Sequence, residues 1–126
     1  MRKQIQTARA PQAKGPYSQA ILCSGRQVFI AGQGPIDPKT GQFTGESFEA
    51  QAVRTFDNLK AIAEAAGASL DDFVKVNVYL NDLGNFAKLN EIYQRYFNEP
   101  YPARTTVHSA LVNMMIEVDG IAVLRD

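Results

Sequence analysis

The chain has 126 residues, enough to bury one sizeable core but too few for two, so residues 1–126 are expected to form one domain. Thirteen basic and thirteen acidic residues cancel, no apolar run is long enough to span a bilayer, and no basic stripe appears. Neither a nucleic-acid partner nor a membrane is therefore expected.

One cysteine, Cys23, excludes an internal disulfide and a cysteine metal cluster, and the lone His108 argues against a zinc site. No metal is expected. The first residues, Met1 to Gln6, are basic but have no apolar run behind them, which does not read as a signal peptide. The expected compartment is the cytoplasm.

Lys3 to Thr7 alternates weakly and suits a short edge strand. A loop follows, ending at Lys14-Gly15-Pro16-Tyr17-Ser18-Gln19, where Gly-Pro is strong turn punctuation. Tyr17 then caps the edge of the core or presents its hydroxyl to a ligand, and both readings stay open. Ala20 to Ser24 and Gln27 to Gln33 flank Gly25-Arg26, which predicts a tight hairpin. Cys23 reads as core filler. The second of these strands ends at Ala31-Gly32-Gln33-Gly34-Pro35, where two glycines signal a bulge or a close backbone approach.

Ser47 is an N-cap candidate, with Glu49 in the first helical turn. Phe48, Ala52, Phe56, Leu59, Ile62, Ala63 and Ala66 recur at helical spacing up to Gly67, opposite a polar face of Gln51, Arg54, Asp57, Lys60 and Glu64. From Phe73 to Leu80 the alternation predicts a strand with Val74, Val76, Val78 and Leu80 on one face. Its other face would carry Phe73, Lys75, Asn77 and Tyr79. Asp82 is expected to cap a second helix that turns Phe86, Leu89, Tyr93 and Tyr96 or Phe97 inward and ends before Pro100 and Pro102. Asn90 has no apolar role there and reads as a surface residue.

Two final strands each carry a charge among apolar and β-branched residues. These are Arg104 in Pro102-Ala103-Arg104-Thr105-Thr106-Val107 and Glu117 in Met115 to Val123. A guanidinium is suited to gripping a carboxylate bidentately, and a partly desolvated glutamate can exchange a proton. Together they suggest a pocket for an anionic substrate that needs proton transfer. Equally, the two could form a cross-strand ion pair of no functional consequence.

The predicted fold is a two-layer α+β domain, a mixed sheet with both helices on one face. Its other face is too apolar for water, which predicts a homo-oligomer.

Taken in order, the landmarks resemble the RidA/YjgF family of reactive-intermediate (enamine/imine) deaminases. They are Ala10-Pro11, Gly15-Pro16-Tyr17-Ser18-Gln19-Ala20, Ala31-Gly32-Gln33 and Pro38-Lys39-Thr40-Gly41, then Asn58-Leu59-Lys60-Ala61-Ile62 and Glu64-Ala65-Ala66-Gly67. Val74-Lys75-Val76, Tyr79-Leu80, Asp82-Leu83, Phe86, Asn90, Tyr93, Tyr101-Pro102-Ala103-Arg104 and Ile116-Glu117 complete the series.

The resemblance implies a chorismate-mutase-like α+β fold assembled as a trimer around a central β-barrel, with active sites between subunits. It implies that Arg104 grips the substrate carboxylate, aided by the backbone amide at Thr106, and that Glu117 holds the attacking water. By the same resemblance the backbone of Gly32 faces the imine nitrogen, while Tyr17 and Asn90 line the cleft. It also implies hydrolysis of 2-imino acids such as 2-iminobutanoate, or of enamines such as 2-aminoacrylate, to 2-keto acids and ammonia without a cofactor.

Three positions depart from the family pattern. Ala31 stands where a serine is frequent and Thr106 where many members carry a cysteine. The segment Ser109 to Met114 is short and lacks the common Leu-Pro-Lys, so its turn should be tight. Other readings within the resemblance are a pathway-specific deaminase of 2-aminomuconate type, an endoribonuclease, and a trimer that binds small acids without turnover. The chain's lack of a basic stripe or stacking platform speaks against the endoribonuclease.

Overall fold

A computed structural model describes residues 1–125. Eight elements follow one another: β1 (Arg2–Ile5), β2 (Ala20–Cys23), β3 (Gln27–Gln33), α1 (Phe48–Ala65), β4 (Phe73–Leu80), α2 (Phe86–Tyr96), β5 (Ala103–His108) and β6 (Ile116–Val123). The order is the one predicted. The sheet is mixed, four strands in the order β3-β6-β4-β5, with β4 and β5 parallel and β6 antiparallel to both β3 and β4.

The predicted hairpin does not form. β2 pairs antiparallel with β1 in a separate two-stranded sheet, while β3 pairs with β6. Gly25 adopts φ +133, a left-handed value open chiefly to glycine, and a side chain there would collide with Val123. The link therefore hands the chain from one sheet to the other instead of folding it back.

Both helices cover one face. Phe56, Leu59 and Ala63 of α1 and Leu89, Ile92 and Tyr93 of α2 share a core with Ile30, Val76, Val78, Leu80, Ile116 and Val118. Phe56 stacks on Tyr96 and meets Tyr93 and Phe97 edge-on, which joins the helices. The Tyr96 hydroxyl donates to Asp57 at 2.9 Å, and its loss of solvent pushes the phenol up to about 12.

Ser47 caps α1 by accepting from the Ala50 amide at 3.1 Å. Gln51, expected on the polar face, is instead buried. Its amide donates to the Gly45 carbonyl and its oxygen accepts from the Met115 amide at 2.8 Å, tying α1 to the start of β6. Asp82 caps a 3₁₀ turn, Leu83–Asn85, rather than the second helix itself, which begins at Phe86. Phe73 was expected on the open face, but a register shift between Phe73 and Lys75 turns it into the core. Its ring lies where a β-carbon on Gly120 would be, which is why that strand position is glycine.

Candidate active site

Arg104 pairs with Val76 across β4 and β5, and like Val76 it points to the helix side of the sheet. There α2 presents one stripe, Phe86, Asn90 and Tyr93, at i, i+4 and i+7. The guanidinium carbon sits 4.9 Å from the Tyr93 ring centre, 5.7 Å from Phe86 and 5.9 Å from Tyr17. One Nη donates to Asn90 Oδ1 at 2.7 Å; the other is buried and has no partner. Burial lowers the arginine's pKa, opposed by Tyr93 and Tyr17, although a guanidinium remains charged. The result is a desolvated cation held by three rings and a neutral amide.

Tyr17 reaches this place because its loop is fastened from both sides. Ser18 donates to the Tyr101 carbonyl and its amide donates to the Pro102 carbonyl at 3.1 Å, which aligns the loop with the start of β5. Gln19 laces the same loop, donating to the Pro11 carbonyl and accepting from the Thr7 amide, each at 2.7 Å. Thr106 follows Arg104 on the same face of β5. Its hydroxyl is also buried without a partner.

Glu117 is elsewhere. Ile116 and Val118 are fully buried, so by alternation Glu117 faces away from the helices, directly opposite Tyr79. Its carboxylate lies over Gly32, where a β-carbon would be 2.9 Å from the carboxyl carbon and closer still to Oε2. Gly32 falls in the register shift between Ile30 and Gln33. The glycine at this position makes room for the glutamate.

The sequence-predicted residues thus form two groups, Arg104 with Tyr17, Asn90 and Thr106 on one face, Glu117 with Gly32 on the other. One chain does not bring them into a single cleft. Nor do Arg104 and Glu117 pair across neighbouring strands, because β4 lies between β5 and β6. Asn90 is no ordinary surface residue, since it holds the arginine. Phe86, assigned inward from its spacing, is 41% exposed and belongs to the guanidinium's surroundings. The i, i+4, i+7 stripe was the available signal for it.

The link between β5 and β6 is tight. The Ser109 amide donates to the Leu80 carbonyl at 2.9 Å, and Asn113 takes a left-handed φ of 60.

Residues 7–124 match the family model described as Endoribonuclease L-PSP. The chain belongs to the RidA/YjgF family. A RutC family protein of Pyrococcus abyssi is 50% identical over 94% of each chain. The 2-iminobutanoate/2-iminopropanoate deaminase of Salmonella typhimurium is 43% identical over 99% of this chain and 100% of its own. Among solved RidA/YjgF structures, RidA from a Psychrobacter species superposes with a TM-score of 0.75 at 47% identity, covering 97% of this chain and 99% of that one. Escherichia coli TdcF with bound serine gives 0.73 at 38%, covering 98% and 99%. The family's mixed α+β fold is the one found here.

Proposed function

We propose that the chain is a hydrolytic deaminase of 2-imino acids of the 2-iminobutanoate and 2-aminoacrylate type, acting in the cytoplasm without a cofactor. The observation that carries this reading is the buried, unpartnered Nη of Arg104 beside the buried, unpartnered Thr106 hydroxyl. Buried donors are rarely left unsatisfied. A carboxylate supplied by a substrate would accept from both the guanidinium and the Thr106 hydroxyl, with the backbone amide at Thr106 beside it as the family resemblance implies. The naming of relatives such as the Salmonella deaminase supports the same chemistry.

Under this reading, water attached to Glu117 adds its oxygen to the imine carbon. Glu117 takes one proton from the water and passes it to the nitrogen, giving a carbinolamine. The remaining hydroxyl proton is then passed to the nitrogen in the same way, the C–N bond breaks, and ammonia leaves as the 2-keto acid's carbonyl forms. The backbone of Gly32 faces the nitrogen, and Tyr17 and Asn90 shape the opposite wall. Because the two groups of residues lie on opposite faces of one sheet, the complete site needs two copies. A homotrimer around a central β-barrel provides this, with Arg104 from one copy and Glu117 from the next. The exposed apolar residues Leu22, Phe29 and Val107 support association of this kind.

The test is keto-acid release from 2-iminobutanoate and 2-aminoacrylate generated in situ by a dehydratase, compared with the spontaneous rate and with Arg104→Ala. Acceleration that disappears in the variant supports the reading. If trimeric protein gives no acceleration, the next substrates are those of a pathway-specific deaminase of 2-aminomuconate type.

A further inference from the structure

The open face of the sheet carries a second polar cluster, adjacent to Glu117 but outside the groups described so far. Asp119 follows Glu117 by two residues on β6 and so projects from the same face. Both its oxygens are occupied. Oδ1 accepts from Asn77 Nδ2 at 2.8 Å and Oδ2 accepts from the Tyr79 hydroxyl at 2.9 Å. Asn77 stands directly opposite Asp119, whereas Tyr79 stands opposite Glu117 and reaches diagonally to Asp119. Its ring therefore stands beside Glu117 on the β4 side. On the other side of Glu117 lies Gly32, whose missing side chain leaves room for the carboxylate.

We propose that Asp119, clamped by Asn77 and Tyr79, is a positioning residue for Glu117. The Tyr79 ring, fixed by its hydrogen bond to Asp119, stands opposite Glu117 on the β4 side and leaves the carboxylate the β3 side, over Gly32. Among the described residues, the charged and titratable groups that β4 and β6 place on this face are Asp119, Tyr79, Glu117 and Lys75. Lys75 donates to Thr105 at 2.9 Å at the far end of the array and stands opposite Ile121, so it does not neutralise Asp119. The Tyr79 phenol is raised above its ordinary range, first by its hydrogen bond to Asp119, and therefore remains a donor at neutral pH. The device holds the water-binding carboxylate in one place without touching substrate.

This inference rests on the deaminase reading for its consequence but not for its geometry, and the experiment separates the two. Tyr79→Phe removes the hydroxyl that Asp119 fixes and so releases the ring; Asp119→Ala removes the acceptor. Each is expected to lower kcat for 2-iminobutanoate about 5- to 20-fold with KM within twofold, since the carboxylate clamp at Arg104 is untouched.

In an Glu117→Asp background, where the carboxylate has already withdrawn from Gly32, the same substitutions should change kcat less than about twofold. Crystal structures should show the Glu117 carboxylate over Gly32 in the wild type and displaced from it in Tyr79→Phe. An unmoved carboxylate overturns the proposal, as does an equal loss of kcat in the Glu117→Asp background or an effect confined to KM. If the wild-type protein accelerates nothing, the deaminase reading fails, and the paired crystal structures alone decide the positioning role.

Discussion

Arg104 and Glu117 stand on opposite faces of one sheet, with the whole of β4 between their strands. Neither a pocket within one chain nor a cross-strand ion pair follows from such an arrangement. The proposed site, shared between copies, has a distinctive signature. Arg104→Ala and Glu117→Gln homotrimers should each be inactive, whereas trimers formed by refolding an equal mixture should regain roughly a quarter of wild-type activity from random assortment. Activity that stays absent in verified mixed trimers would place both residues of a site in one chain.

Glu117→Gln separates binding from turnover. The amide keeps the shape but cannot take a proton from water, so affinity for 2-oxobutanoate by calorimetry should change less than about twofold while turnover falls at least ~10²-fold. Unchanged turnover would remove Glu117 from the chemistry.

Asn90 holds Arg104 through a neutral oxygen, which leaves the positive charge uncompensated for a ligand. Asn90→Asp would supply a permanent counter-charge in the same place. The expected result is a KM raised about 10-fold or more, larger than for Asn90→Ala, with kcat changed little in either. Steady-state kinetics of the two variants side by side check the order.

A methyl group at residue 32 would collide with the Glu117 carboxylate. Gly32→Ala should therefore displace Glu117 and lower kcat by about 10²-fold, while the thermal midpoint falls by only a few degrees because the position is at the exposed end of β3. Kinetics and a melting curve on one sample measure both.

Gln51 is a stability residue despite its place on an otherwise polar stripe. Gln51→Ala leaves the Met115 amide and the Gly45 carbonyl without partners and should destabilise by roughly 1–3 kcal/mol. Urea unfolding of the variant tests it, and a change below about 0.5 kcal/mol would contradict the buried bonding.

Local pattern carried most of the architecture in the sequence. Period-two alternation marked β4 and β6, helical spacing and Ser47 marked α1, and Gly-Pro marked the loop that delivers Tyr17. These signals are short-range, because each element's apolar face is written within its own residues. Arg104 and Glu117 stood out as charges within apolar strands and Gly32 as a glycine of close approach. Asn90, by contrast, read as a surface residue and entered the site only through the family resemblance.

Partner choice was not legible. That β2 leaves β3 to pair with β1, that Phe73 turns inward at a bulge, and that Gln51 is buried all depend on residues far away in sequence. The same holds for the separation of Arg104 from Glu117. Their residue types, set by the chain itself, determine what chemistry is available. Register decides on which face of the sheet each is displayed and strand order how far apart they stand, and both are long-range pairings that no local pattern encodes.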